Sequence, residues 1–531
     1  MNKNKMIALC MVACLLLAAC APAAQETPDT VPPYTQENLI TKEVPEGTIK
    51  IDLSDHSIKV NGTDFNTVST HVFCGVSVAN DIVFYEEGKG FTYGEGTKAD
   101  EHSQEEADQH TVVHITEPGV YVLSGKLSAG QIAVDLGKEA KDDPNAVVTL
   151  VLHGVDITCT VAPAVIFYNV YECGTADEET AQMEVDTTAA GANVIIADNS
   201  ENNIRGSYVA RIYKSVELNE EKTEVVDSKK LHKYDAAFYS KMSMNIYGEK
   251  ESTGVLNIYA ENEGLDSELH LKLYSGNIHI ESGNDGINTN EDNVSVTHIL
   301  GGTLDIVVTG ETGEGDGIDS NGWLIIDGGI VTASACGFSG DAGIDADKGV
   351  FIRGGQVIAS GNMLDHVQGE QTRMVLTFSQ RQKGGNAYTL KNKDGSIVLT
   401  CTPNNDFQYL ILSSPIITEG EYTLWQGDTQ LSASKGGGQM GGIGGGMGRP
   451  EGEMPEGEVP EKPEGGFPGM PEDGNPEGTP PAIPQDSRPV GGQRPGGGMG
   501  GGPGMGQDGG QGTSEILTVT AGANYFQIIN A

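Results

Sequence analysis

Between residues 254 and 361, short runs rich in β-branched and other apolar residues alternate with glycine-rich turns. The runs are only three to six residues long, which suits strands and is too short for typical helices. Glycine pairs at 301–302, 328–329 and 354–355 mark turns at matching places. The predicted strands are Val255–Tyr259, Asn277–Glu281, Val294–Ile299, Thr303–Val308, Trp323–Ile326, Ile330–Ala333 and Val350–Ile352.

An acidic motif repeats together with these strands. Its four copies are centred on Leu265, Ile287, Ile318 and Ile344, so successive copies lie 22, 31 and 26 residues apart. A variable period of this size is typical of a solenoid whose coils carry loop insertions. We therefore predict an all-β fold, a parallel β-helix, which the usual chirality of parallel crossovers makes right-handed.

The polar residues of the motif predict calcium sites. Residues two apart in a strand share a face, so stacked coils align these residues in two ladders about 4.8 Å per rung. An ion midway between two rungs would lie about 2.4 Å from an oxygen on each, a distance that Ca²⁺ favours. The predicted ligands are Asp266, Asn288, Asp319 and Asp345 on one ladder, Glu268, Asn290, Asn321 and Asp347 on the other, and Asp285, Asp292, Asp316 and Asp341 nearby.

One alternative for these residues needs no metal. Asn and Asp tolerate the left-handed backbone of tight corners, and asparagine ladders can stack through their side-chain amides. The motif would then serve only the turns of the coils. Paired acids at alternate positions in several coils favour the calcium interpretation, because turns alone do not require them.

The rest of the chain divides by composition. Further strand-like runs upstream extend the predicted β-helix to residues 46–370, with acidic or charged loop insertions at 86–110, 174–190 and 214–233. Residues 435–512 are rich in Gly, Pro, Met and Glu and are predicted to be disordered. Alternating strands in 371–434 and again in 513–531 predict one C-terminal β module interrupted by that segment. The upstream runs are Thr111–Leu123, Gln131–Leu136, Val147–Leu152, Ala164–Tyr168, Ala192–Ile196 and Met242–Tyr247.

The N-terminus has the pattern of a bacterial lipoprotein signal. Lys3 and Lys5 precede an apolar stretch over residues 7–17, and Leu17–Cys20 matches the lipobox. We predict a signal peptide over residues 1–20, a lipid on Cys20 and a flexible stalk over residues 21–45. The chain is then anchored to the extracellular face of the cell membrane.

The net charge and the cysteine content restrict the ligands and partners that the chain is expected to bind. The chain has 32 Lys and Arg against 75 Asp and Glu, a net charge of −43, which excludes a nucleic-acid binder and suits divalent cations. Five cysteines remain after Cys20, without paired spacing, so a zinc site is not expected. A Cys159–Cys173 disulfide and small buried thiols both stay open. Nothing indicates oligomerisation, and we expect a monomer.

Several tracts, read in order over residues 50–430, resemble one family of bacterial surface proteins, the carbohydrate-binding-domain-containing proteins. The resemblance implies a right-handed parallel β-helix, bound Ca²⁺ and binding of extracellular polysaccharides such as cellulose and polygalacturonate, without established catalysis. The insertions and the 435–512 segment depart from the family and bear on its binding surface. The tracts are Gly119–Gly125, Gly130–Ile132, Asp235–Lys241, the Asp-Gly-Ile coils and Ser413–Pro415.

Three functions follow from these patterns. The first is non-catalytic binding of plant cell-wall-type polysaccharide. The second is a Ca²⁺-dependent polysaccharide lyase of the pectate type, whose general base would be Lys348 or Arg353 beside the last acidic motif. The third is a structural adhesin for a protein partner. Trp323 and Trp425 are assigned to core packing rather than to sugar stacking.

Overall fold

The structure is a computed structural model that describes residues 35–36, 39–65, 69–80, 82, 104–208, 213–218, 225–230, 234–436 and 513–529. The described chain is all-β, with only a short α-helix, Gln104–Ala107, and a 3₁₀ turn, Lys138–Asp142. No helix among these residues is long and apolar enough to cross a membrane. The predicted signal peptide with Cys20, most of the stalk and 86–110 insertion, and nearly all of the 435–512 segment lie outside the described residues.

Most strands stack in three parallel rows, which we name A, B and C. Row A holds Thr111–Ile115, Gly130–Asp135, Val165–Asn169, Ala236–Ser240, Glu263–Ser267, Ile287–Thr289 and Ile318–Ser320. Row B holds Ile49–Leu53, Gly119–Leu127, Val148–Thr158, Ala192–Ile196, Met244–Gly248, His270–Leu273, Val296–Ile299, Trp323–Ile326, Gly349–Ile352 and Val367–Gln368. Row C holds Glu201–Gly206, Val255–Ala260, Asn277–Ser282, Thr303–Val308, Ile330–Ser334 and Gln356–Gly361, and the ends of Gly119–Leu127 and Val148–Thr158 reach into it.

The chain visits the rows in a constant order, A to B to C, from row A strand Ala236–Ser240 to row C strand Ile330–Ser334. Each strand pairs in parallel with the strand of the same row one circuit later, as Leu256 pairs with Ile278 and Ile278 with Leu304. Alternate residues on these strands are fully or almost fully buried and form one apolar cluster between the rows. The periodic apolar residues therefore supply the core, and the polar residues between them face away from it.

Four further strands and a hairpin lie outside the rows. Near the N-terminus, Ile58–Val60 and Thr63–Phe65 pair antiparallel at the edge of row B, and Val76–Ala79 does so at the edge of row A. Ser69–Phe73 pairs with Val76–Ala79. The hairpin, Tyr213–Leu218 with Val225–Lys230, lies in the segment that the sequence predicted to be a charged loop insertion.

The C-terminal strands form a second apolar core. Residues after 512 return to it: Ala523–Ile528 pairs with Arg373–Gln382, and Leu517–Val519 with Gly420–Gln426. Phe407–Ser413 pairs antiparallel with Gln356–Gly361 and joins this core to the end of row C. The strands are Arg373–Gln382, Tyr388–Asn392, Ile397–Cys401, Phe407–Ser413, Gly420–Gln426, Thr429–Gln430, Ala433–Lys435, Leu517–Val519 and Ala523–Ile528.

The predicted strands between 254 and 361 match the observed ones to within two residues at each end. The prediction of one run over Thr111–Leu123 is wrong, because the strand ends at Ile115 and a new one begins at Gly119, with Pro118 between them. Proline lacks the amide hydrogen that a central strand must donate. The cysteines Cys74, Cys159, Cys173, Cys336 and Cys401 are all free thiols, so the Cys159–Cys173 bridge is not formed.

Candidate metal centre

Row A brings the first predicted ladder into register. Asp266 pairs with Asn288, and Asn288 with Asp319, on three successive strands. The fourth copy of the motif has no strand, yet its backbone stacks in the same way: the Asp345 amide donates to the Ile318 carbonyl at 2.8 Å. The order of rungs is therefore the one that the motif spacing predicts.

Three carboxylates converge at the C-terminal end of this ladder. One oxygen from each of Asp316, Asp319 and Asp345 lies within 4.8 Å of the other two. An ion at their centre would be no more than about 2.8 Å from each oxygen, close to the roughly 2.3–2.6 Å that Ca²⁺ prefers. All three side chains are partly buried, so solvent screens their mutual repulsion only weakly.

The acids at the corners also have a turn function. The amide of Asp316 donates to Oδ1 of Asp285 at 2.7 Å, and the amide of Ala342 donates to Oδ1 of Asp316 at 2.5 Å. The amide of Gly315 donates to Oδ2 of Asp341 at 2.8 Å. These bonds tie each corner to the next coil and use one oxygen of each carboxylate. The turn-only alternative accounts for one oxygen of each of these three carboxylates.

The N-terminal end of the ladder is built differently. The Asn290 side-chain amide donates to both carboxylate oxygens of Asp266, at 2.7 and 2.8 Å. The Tyr239 hydroxyl donates to Glu268 at 2.6 Å, and the Asn321 amide donates to the exposed Asp292 at 3.0 Å. Asp266, Glu268, Asn290, Asp292 and Asn321 were predicted as ligands. Hydrogen bonds join Asp266, Asn290, Asn321 and Asp292, whereas Glu268 accepts from Tyr239, and none of the five belongs to the three-carboxylate cluster.

The negative charges of these buried carboxylates repel one another unless a cation or protons neutralise them. Burial, followed by the charges of Asp345 and Asp347, raises the pKa of Asp319 to about 7. Burial also raises the pKa of Asp285 and Asp316 well above the usual range, with further repulsion from neighbouring carboxylates. A divalent cation would reverse these shifts, because its charge favours the ionised carboxylates.

Buried oxygen atoms near the cluster fit the same interpretation. Oδ1 of Asn288 and Oδ2 of Asp365 are buried and accept no hydrogen bond, which is costly for a polar atom unless it binds a cation or water. Asn288 was a predicted ligand, and Asp365 was not. The pKa of Asp365 is raised, first by burial. It follows the last copy of the motif, so nothing in the repeat signals it.

Glu263 is a second acid that the sequence prediction left out. Glu263 directly precedes Gly264, as Asp285 and Asp316 directly precede the glycines of their own motif copies. The Asn288 amide donates to its Oε1 at 3.3 Å. The first three motif copies carry an acid at this position, and the fourth carries Ala342, so the repeat itself indicates Glu263.

The raised pKa values predict how the stability of the metal-free protein depends on pH. A carboxyl whose pKa is higher in the folded state binds its proton more tightly there, so stability is lost as pH rises through that window. For Asp319 the window runs from the usual 3.8 to about 7. Scanning calorimetry of metal-stripped protein should therefore give a higher melting temperature at about pH 5 than at about pH 8. Saturating Ca²⁺ should remove most of this difference, and a melting temperature that rises with pH in metal-stripped protein would contradict the prediction.

The two cations considered as a lyase base lie in other contacts. Arg353 donates two hydrogen bonds to Asp327, at 2.6 and 2.7 Å, and a third to Glu184 at 2.5 Å. These bonds raise the pKa of the Arg353 guanidinium further above its ordinary value. The Lys348 ammonium lies 5.0 Å from the centroid of the Trp323 ring.

Both tryptophans lie on outer faces and not in a core. Trp323 and Trp425 are half-buried and belong to neither apolar cluster, so their assignment to core packing is wrong. Each ring instead contacts a lysine ammonium, that of Lys348 or Lys391, the latter at 4.1 Å. A tryptophan with a cation over its ring tolerates partial exposure, which the apolar pattern alone does not reveal.

Comparison with known proteins identifies the family. A profile described as carbohydrate-binding domain-containing protein matches residues 109–376, half of the chain and all of the candidate centre. No curated protein matches. One solved structure, the gadolinium derivative of a polysaccharide lyase-like protein from C. thermocellum, is 19% identical, with 61% of this chain and 96% of that chain covered and a TM-score of 0.32. The chain belongs to the family of carbohydrate-binding domain-containing proteins.

Proposed function

We propose that this protein is a cell-surface lipoprotein that binds acidic cell-wall-type polysaccharide through Ca²⁺ held in a right-handed parallel β-helix, without catalysis. The observation that carries the proposal is the cluster of Asp316, Asp319 and Asp345, which lies within the matched carbohydrate-binding region. Three parallel rows visited in constant order support the β-helix. Its hand follows from the strong preference of parallel crossovers.

Calcium resolves a conflict of charge in this proposal. A chain of net charge −43 repels a polyuronate, which is itself a polyanion. A bound Ca²⁺ offers six to eight coordination positions, and carboxylates are its preferred ligands. The ladder that contains Asp319 and Asp345 supplies protein oxygens, whereas Asp347, on the other ladder, is exposed. An ion held at this boundary keeps positions open for sugar carboxylates and links the two polyanions.

Binding without cleavage agrees with the surroundings of the two candidate bases. A lyase needs an uncharged base beside the metal to remove a proton next to the uronate carboxylate. Arg353 is held charged by Asp327 and Glu184. Lys348 is engaged with the Trp323 ring. The contacts described above for Arg353 and Lys348 do not include the three-carboxylate cluster.

The anchoring part of the proposal rests on the sequence around Cys20. The lipobox supports a lipid on this cysteine, and the residues up to 45 would separate the β-helix from the membrane. A monomer suffices for this arrangement. Mass spectrometry of the purified N-terminal peptide tests it, because cleavage of the signal peptide before Cys20 together with acylation would leave a lipid-modified cysteine as the first residue.

The proposed function predicts Ca²⁺-dependent retention on immobilised polygalacturonate. The protein should bind in Ca²⁺ and elute in EGTA, because removing the ion restores repulsion between two polyanions. The ultraviolet absorbance of unsaturated uronide should stay at baseline throughout. Rising absorbance would establish lyase activity and return attention to Lys348 and Arg353. Equal retention in EGTA, or none in either buffer, would reject calcium bridging.

A further inference from the structure

An apolar stripe runs along the outer face of row B. Its side chains pack in a small cluster that is separate from the core between the rows, so they point outward. The residues that pair at one position of four successive strands are Val122, Val151, Ile195 and Tyr247. Tyr274 extends the stripe, because its ring stacks on that of Tyr247 with the centroids 4.4 Å apart and the planes at 11°.

Solvent hardly reaches most of this stripe. Val151 and Ile195 are at most 1% exposed, and Tyr247 and Tyr274 are at most 8% exposed. Outward residues of a sheet are this buried only where another part of the chain covers them. Val44 packs against the same cluster and lies shortly before the first strand of row B. The segment that leads into the β-helix therefore supplies part of the cover.

Residues 36 and 39–44, which we name the strap, follow the stripe from coil to coil. They belong to the segment that the sequence predicted to be a flexible stalk. The Lys42 amide donates to the Gly248 carbonyl at 3.1 Å, and the Lys42 ammonium lies 4.8 Å from the centroid of the Tyr247 ring. Burial lowers the pKa of Lys42. A cation over an aromatic face is attracted by the ring, so Lys42 fixes one end of the strap.

The other end of the strap lies two coils further along the stack. On the first of these coils, the Ser275 hydroxyl donates to the Ile40 carbonyl at 2.7 Å. On the second, the Gly302 amide donates to Oε1 of Gln36 at 2.8 Å. A β-carbon on Gly301 would lie only 2.3 Å from Nε2 of Gln36, so the absence of a side chain at Gly301 leaves room for the strap.

The strap runs opposite to the growth of the stack. From the coil of Gly302 the chain passes the coil of Gly248 and then enters the first row B strand, Ile49–Leu53. The N-terminal end of the strap therefore lies beside a coil in the second half of row B, and not at the N-terminal end of the stack. The next coil contributes Asp316 and Asp319 to the candidate metal centre.

The strap limits how far the chain can separate the β-helix from a lipid on Cys20. Gln36 lies 16 residues after Cys20, whereas Ile49 lies 29 residues after it. A chain spans at most about 3.5 Å per residue, so the reach is at most roughly 55 Å with the strap docked and roughly 100 Å without it. Docking therefore nearly halves the greatest possible distance between the membrane and the β-helix.

We propose that the docked strap attaches the β-helix to the membrane by its flank, at the coil of Gly302, and not by its N-terminal end. The proposal rests on the lipid anchor of the proposed function and adds the place on the fold to which that anchor is joined. The strap residues belong to no strand of the rows, so its release would lengthen the tether without unfolding a coil.

Hydrogen exchange of the full-length protein in phosphatidylcholine vesicles tests whether the strap is docked. The double variant Lys42→Asp, Val44→Asp should release it, because each change places a carboxylate against the apolar stripe. The amide of residue 42 should then exchange at least tenfold faster than in the parent. The double variant Ile40→Asp, Pro45→Asp is the matched control, since it adds two carboxylates at exposed positions of the same segment. Slow exchange of Asn277–Ser282 shows that each variant is folded.

Energy transfer from Trp323 to dansyl-labelled phospholipid in the same vesicles tests the flank attachment. Trp323 begins the row B strand that follows Val296–Ile299, close to the end of the strap. The chain has two tryptophans, so Trp425→Phe in every protein leaves Trp323 as the donor. The release variant should lose at least half of the transfer measured for the parent, because its longer tether lets the β-helix move away. The control variant should match the parent.

The outcomes separate the flank attachment from the lipid anchor itself. Exchange of the residue 42 amide as fast in the parent as in the release variant overturns the proposal. Equal transfer from parent and release variant, both with acylated Cys20, overturns it and leaves the anchor standing. Protein without a lipid on Cys20 would transfer no energy in any variant, so that the anchor of the proposed function and the flank attachment would both be rejected.

Discussion

Replacing Asp316, Asp319 and Asp345 with asparagine should abolish the rise in melting temperature that Ca²⁺ gives the parent protein. The three side chains supply the convergent oxygens of the candidate centre. Asparagine keeps their size and one carbonyl oxygen but removes three negative charges. A ligand at one hundred times its dissociation constant stabilises the folded state by about 2.7 kcal/mol, and that gain should disappear. Scanning calorimetry with and without Ca²⁺ measures it.

The same variant should be more stable than the parent when both are stripped of metal. Burial and mutual repulsion raise the pKa values of these carboxyls, so neutral asparagine removes an unfavourable interaction. The control removes three exposed charges elsewhere, through Glu139→Gln, Asp142→Asn and Glu178→Gln. It should keep the full calcium response. A triple asparagine variant that still responds like the parent would show that the ion binds elsewhere.

Gly286→Ala should destabilise the protein by more than 3 kcal/mol, above the typical cost of overpacking a core. A β-carbon at this position would lie 2.5 Å from the Gly317 carbonyl oxygen and closer still to Cγ2 of Ile306. The first atom is backbone of the next coil and the second is core side chain. Neither can move without shifting the stack, which explains why the motif reads Asp-Gly-Ile. Thermal or denaturant unfolding measures the loss.

Gly340→Ala is the matched control for this substitution. Gly340 lies near the fourth copy of the motif, and a β-carbon there would meet no atom within 4 Å. The change should alter stability by less than about 0.5 kcal/mol, as surface substitutions usually do. Equal effects at Gly286 and Gly340 would show that close packing of the coils does not restrict the motif position to glycine.

The stacking of the strands was predictable because it depends on the regular spacing of buried apolar residues along the chain. Each coil must bury an apolar residue at the same place, so Leu265, Ile287 and Ile318 fix the register without knowledge of the loops between them. Polar neighbours then align automatically. The prediction failed at Pro118, because this proline lies between two strands that the apolar pattern predicted to be one.

The composition of the metal centre was less predictable. Asp266 and Asp319 occupy equivalent rungs, yet Asn290 hydrogen-bonds to Asp266 whereas Asp319 joins two other carboxylates. That difference depends on the side chain contributed by the adjacent coil, which periodicity does not specify. Asp365 lies beyond the repeat in sequence, yet its charge contributes to raising the pKa of Asp319. Tertiary contacts decide both cases.

The covering of row B was also beyond the sequence pattern. Residues 174–190 have the composition of an acidic loop insertion, and nothing in them indicates a docking face. In the structure, Glu184 pairs with Arg353, and Thr187 donates to Asn245 at 2.7 Å. Each contact joins residues far apart in the chain. These contacts place the segment over part of the outer face of row B.

Retention of the Asp316, Asp319 and Asp345 triple asparagine variant on polygalacturonate in saturating Ca²⁺ tests the central claim most directly. The account predicts that the parent and the control variant with Glu139→Gln, Asp142→Asn and Glu178→Gln are retained, while the triple asparagine variant passes through. A variant retained as well as the parent would contradict it, because calcium could not then be linking these carboxylates to the polysaccharide.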